Sequence, residues 1–106
     1  MKMELVKIVV YVPVAEADKV RDALAEVGAG KMGNYEACSF STKGVGRFRP
    51  LEGAKPFVGE VGKLESVEEE RIETICEKGK LEEILAAVRA VHPYEEPAID
   101  IYPLLN

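Results

Sequence analysis

Three features of the sequence predict an α+β sandwich, an antiparallel four-stranded sheet with two helices on one face. A length of 106 residues suits a single domain over 1–106, and the hydrophobic content of 47% supplies a core. The apolar pattern runs strand, helix, strand, then a long excursion, then strand, helix, strand. The two helical stretches carry the same stripe, so the halves match, each a strand-helix-strand unit.

The first strand is Leu5 to Val12, almost unbroken in β-branched and aromatic residues except at Lys7, and Pro13 ends it. From Val14 the period changes. Val20, Ala23, Leu24 and Val27 form one stripe, Asp18, Lys19, Asp22 and Glu26 lie off it, and Gly28 is placed to cap the helix. Strand two is expected over Asn34–Thr42, where Cys38 and Phe40 alternate with Ala37, Ser39 and Ser41. Lys43 to Gly62 then reads as a loop of about 20 residues, with room for a short extended piece at Arg47-Phe48-Arg49, and long enough to imply a functional or partner surface.

Strand three is expected from about Val67 to Glu77, the β-branched set Val67, Ile72, Thr74 and Ile75 deciding against a helix. The second helix shows Leu81, Ile84, Leu85, Val88 and Val91, and Ala98–Tyr102 is the last strand. This order is that of a split βαβ, ferredoxin-like sandwich. Its second sheet face, assigned Tyr35, Ala37, Ser39, Arg71, Glu73 and Ile75, is left bare, which predicts homo-oligomerisation.

Composition narrows the function classes. With 19 acidic and 14 basic residues the net charge is −5, which repels a phosphate backbone, so nucleic acid is not expected as a partner. No apolar run spans a bilayer and the start lacks a signal peptide's apolar stretch, so the expectation is a cytoplasmic protein with no membrane partner. Cys38 and Cys76 lack metal-site or redox spacing and are expected as reduced, helix-facing core thiols.

Functional groups are densest at His92-Pro93-Tyr94-Glu95-Glu96-Pro97-Ala98, which holds the only histidine. A residue before proline leaves the α region, so the segment is a stiff corner between the second helix and the last strand. His92 with Glu95 and Glu96 is a candidate divalent-metal site, suited to zinc or copper and completed by a neighbouring subunit or by solvent. The alternative is that these residues only shape the turn. A second candidate is Gly28-Ala29-Gly30-Lys31-Met32-Gly33, where glycines around Lys31 could cradle an anion, although the P-loop spacing is absent. Gly30, Lys31, Gly33, Tyr35, Arg47, Arg71 and Tyr94 are the candidate ligand-binding residues. An enzyme would need His92 as general base, but no nucleophile stands beside it: Ser39, Ser41 and Cys38 fall in the expected strand.

Gly28-Ala29-Gly30, Gly33-Asn34-Tyr35, Cys38-Ser39-Phe40, Gly46-Arg47-Phe48-Arg49-Pro50, Pro56-Phe57-Val58-Gly59, Glu70-Arg71-Ile72-Glu73 and the His92–Ala98 corner resemble, in order, the insert domain of the Nif-three-like family, also called the dinuclear-metal-centre or GTP cyclohydrolase I type 2 family. The resemblance implies a CutA/PII-like module, similar to trimeric proteins, standing alone. It does not carry over the hydrolase chemistry of the metal-holding halves, because one histidine and three aspartates cannot furnish a dinuclear centre. What it implies is a non-enzymatic, oligomeric binding or regulatory module, a trimer by preference, with a divalent metal ion or a small anion as ligand. A module that only docks on a larger protein is the alternative, and a hydrolase using His92 a more distant one.

Overall fold

The computed structural model describes residues 4–105. Four strands, β1 (Leu5–Pro13), β2 (Phe40–Phe48), β3 (Glu65–Glu77) and β4 (Ile99–Pro103), form one sheet in the order β2-β3-β1-β4, with every neighbouring pair antiparallel. Two helices, α1 (Ala17–Glu26) and α2 (Leu81–Val91), pack on one face, each entered through a short 3-10 turn.

Alternation along β1 sends Val6, Ile8, Val10 and Val12 into the helix layer, where Ala17, Val20 and Leu24 of α1 and Ile84 and Val88 of α2 meet them. Ile72 and Cys76 join from β3, so the expected register of that strand is observed. Truncating a fully buried isoleucine such as Ile8 or Ile84 in this layer costs about 2–5 kcal/mol. Arg21 ties α1 to the sheet edge, donating to Glu70 at 2.6 Å and to Ser41 at 3.0 Å. Gly28 at φ +97° follows α1 as a left-handed residue, and its N–H returns to the Ala25 carbonyl at 3.1 Å.

The second strand departs from expectation. It runs over Phe40–Phe48 instead of 34–42, so residues 43–48 belong to the sheet and the connecting excursion spans only 49–64. Two glycines that read as loop punctuation, Gly44 and Gly46, sit inside this edge strand. A Cβ at Gly46 would displace the Glu69 carboxylate from where it lies, and an edge strand tolerates the loss of side-chain packing. Upstream, Ala37 takes a left-handed φ of +57° and Tyr35 bridges back to Met32, which keeps 34–39 out of the ladder. Cys38 therefore lies half-buried in a loop rather than in a strand, while Cys76 is buried as expected.

β1 pairs with Glu69–Glu77 whereas β2 pairs with Glu65–Glu73, so β2 and β3 overshoot β1 as a projecting arm. The molecule is accordingly long, 51 × 23 × 22 Å. The face opposite the helices carries Phe40, Thr42, Gly44, Gly46 and Phe48 in place of Tyr35, Ala37 and Ser39, alongside the expected Arg71, Glu73 and Ile75. It is not bare everywhere: Val9 is fully buried on it, beside Lys7, which pairs with Glu73 at 3.3 Å.

Candidate functional site

The arm, the excursion and the corner converge at one end of that second face. α2 ends because His92, preceding Pro93, adopts φ −74° and ψ 132°, its N–H still held by the Val88 carbonyl at 2.9 Å. The turn then brings Tyr94 onto the arm, where its ring meets Phe48 edge-on at 6.0 Å and Phe57 of the excursion at 6.4 Å. Its hydroxyl donates to Glu69 Oε2 at 2.8 Å. Burial, together with this bond to Glu69, holds the Tyr94 phenol above its ordinary pKa, so it stays a neutral donor. Lys55 N–H donates to Glu95 Oε1 at 3.2 Å and latches the excursion to the corner.

The result is a half-open cavity of about 370 Å³ walled by Phe48, Pro50, Pro56, Phe57 and Tyr94, with Glu69 among its polar groups. Arg47, Arg49, Glu95 and Glu96 stand on its exposed rim. Such a space, mostly apolar with a few placed polar groups, is of the size and kind that holds small molecules.

The expected metal trio is not assembled. His92 is 7% exposed and both ring nitrogens are engaged: Nε2 donates to the Tyr11 carbonyl at 2.7 Å, and Nδ1 accepts the Tyr94 N–H at 3.1 Å. The Nδ1 lone pair is taken by the Tyr94 N–H, Glu95 Oε1 accepts from Lys55, and Glu96 is exposed. No group of three His, Cys, Asp or Glu suited to an ion occurs among the described residues. The corner fits the turn-shaping alternative, with His92 tying the end of α2 to β1.

The remaining candidates separate. Arg47 and Tyr94 belong to the cavity. Arg71 lies beside it in a shallow trough with Tyr11, Thr42, Gly44 and Glu69, its Nη1 donating to the Tyr11 hydroxyl at 3.1 Å. Gly30 is structural: its N–H bonds the Ile75 carbonyl at 2.7 Å, and a Cβ would strike the backbone of Cys38. Lys31, Gly33 and Tyr35 are exposed and line neither the cavity nor the trough. Phe48, Phe57, Glu69 and Gly46 were not among the sequence candidates. The paired aromatics on either side of the glycine- and proline-rich stretch were the one signal that could have found them.

Comparison with known proteins decides the relationship. A GTP cyclohydrolase 1 type 2 homolog of Halalkalibacterium halodurans is 53% identical over 102 residues, 96% of this chain and 27% of that protein. The crystal structure of a Bacillus cereus protein related to NIF3 superposes with a TM-score of 0.86 at 48% identity, over 98% of this chain and 26% of that one. The chain is homologous to a segment of the NIF3-related proteins. It spans about a quarter of the length of these relatives. No family model matches. The periplasmic divalent cation tolerance protein CutA of Archaeoglobus fulgidus superposes with a TM-score of 0.70 over 96% of this chain and 85% of that one, at 22% identity. That likeness establishes the CutA/PII-like α+β fold for the NIF3-related segment. No helix among the described residues is long and apolar enough to cross a membrane.

Proposed function

We propose that this NIF3-related segment is a non-enzymatic, oligomeric binding or regulatory module of the cytoplasm whose ligand site is the cavity between arm, excursion and corner. The observation that carries the reading is the convergence of three separate motif stretches, Gly46–Pro50, Pro56–Gly59 and His92–Ala98, on one space of about 370 Å³. Folding alone gives no reason to gather Phe48, Phe57 and Tyr94 at the tip of an arm, outside the helix-facing core. A catalytic reading has no support from the geometry, since the His92 ring is consumed by backbone partners.

Self-association is part of the proposal, with a trimer favoured. Met32, Tyr35, Phe40 and Tyr102 expose between 44% and 75% of their surface, and β2 offers an unpaired edge of nine residues. Light scattering at micromolar concentration should then give a mass well above 11.6 kDa. The rest of the relatives' length is the first place to seek a larger protein partner.

The test of the site is a melting screen of the wild type and Phe57→Ala against zinc, copper, phosphate, small carboxylates and small amines. Phe57 is 55% exposed, so its truncation spares the core. A compound that binds only the folded form raises the melting temperature by mass action. Stabilisation of the wild type that is lost in Phe57→Ala supports the cavity; stabilisation equal in both, or none from the panel, overturns it.

A further inference from the structure

Glu69 is the least exposed charged group of the cavity. It is 8% exposed, forms no ion pair among the described residues, and takes its hydrogen bond, from Tyr94, on Oε2. Oε1 lies over the bare Cα of Gly46, which lines the same cavity, and has no hydrogen-bond partner among the described residues. An acceptor oxygen with no protein donor, on a side chain that lines the cavity, is free to take one from a ligand. The walls beside it are three aromatic rings, whose faces attract cations. Arg47 and Arg49 do not offset this. Both are exposed, the β2 register puts Arg47 on the opposite face from Phe48, and exposed charges are worth little. Glu95 and Glu96 on the rim are exposed too and count for as little, so Glu69 sets the sign inside the cavity.

We propose that the cavity receives a small organic ammonium ion, with its charged head against Oε1 of Glu69 and its methyl or methylene groups against Phe48, Phe57 and Tyr94. This rests on the cavity being the ligand site of the proposed binding module. One carboxylate among aromatic rings offers too few oxygens for magnesium or calcium and no imidazole or thiolate for zinc, whereas it matches an alkylammonium in both charge and surface.

Isothermal titration with choline, with its uncharged carbon analogue 3,3-dimethyl-1-butanol and with benzoate tests the assignment. Choline is expected to bind roughly tenfold or more tightly than the neutral analogue, and benzoate not to compete. Glu69→Gln, which keeps an acceptor for Tyr94 and leaves the aromatic walls, should sharply reduce the preference for charge while the protein still folds. Phe57→Ala should weaken choline without touching Glu69. Equal binding of choline and the neutral analogue, or a charge preference undiminished in Glu69→Gln, overturns the ammonium assignment. Benzoate binding that Phe57→Ala removes would overturn it while leaving the cavity as the ligand site; silence of all three probes and of the wider melting screen would overturn both.

Discussion

Tyr94→Phe removes one oxygen atom and isolates the polar core of the proposed site. The ring stays against Phe48 and Phe57, so packing is preserved, but the 2.8 Å bond to a carboxylate only 8% exposed is lost. A hydrogen bond to a charged group contributes about 1.5–3 kcal/mol, and here its loss leaves Glu69 with no protein donor among the described residues. Taking about 2 kcal/mol, the melting temperature of a domain of this size should fall by about 8–15 °C at fixed protein concentration. Glu69→Leu added to Tyr94→Phe removes the stranded charge as well and should recover most of the loss, since replacing both partners by apolar groups is close to neutral. Thermal melts of the two single variants and the double variant read this directly. A fall of under about 2 °C in Tyr94→Phe, or no recovery in the double variant, would refute the claim that the pair is buried and coupled.

Gly46→Ala should act through the same pair, because its Cβ displaces the Glu69 carboxylate; combined with Tyr94→Phe it should cost little more than either alone, and full additivity in melts would contradict this. His92→Ala strands the Tyr11 carbonyl and the Tyr94 N–H, so it should lower metal-free stability by about 1–3 kcal/mol, with neither form stabilised by zinc or copper. Zinc-dependent stabilisation of the wild type that His92→Ala removes would restore the metal site. Tyr94 is protonated in the fold to a pH above its ordinary 10.0, because of burial and then the Glu69 bond. The unfolded chain therefore ionises first as pH rises, and stability present in full below about pH 10 is lost above it. Melts from pH 9 to 11 should decline more steeply in the wild type than in Tyr94→Phe. The buried Cys76 thiol, also raised, adds the same decline to both.

The helix layer was legible because its periods are unambiguous. Leu5–Val12 and the two stripes ending at Val27 and Val91 each commit a face to the core, and the structure places β1, α1 and α2 there. Strand two was not, for a local reason. Gly44 and Gly46 look like turn residues, yet in an edge strand whose exposed face accommodates the Glu69 carboxylate a missing side chain is what the packing needs. The left-handed Ala37, which breaks the ladder upstream, carries no sequence mark at all.

The corner was legible as a corner, since Pro93 and Pro97 dictate it. Its chemistry was not, because the group that occupies His92 Nε2 is the backbone carbonyl of Tyr11, brought from across the sheet. Glu69 was hidden inside the run Glu68–Glu70, where neighbouring carboxylates alternate in face: Glu70 turns to Arg21 under α1, Glu69 to Tyr94, and Glu68 stays exposed. Only the register separates them.

Amide chemical shifts during titration with a mixed panel of small cations, anions and neutral compounds test most directly whether the arm, the excursion and the corner make one site. The prediction is that at least one compound moves the amides of Gly46, Phe48, Phe57, Glu69 and Tyr94 together, while those of Lys31, Gly33 and Tyr35 stay still. Shifts gathered at the glycine loop around Lys31, or at Arg71 without Tyr94, would contradict it.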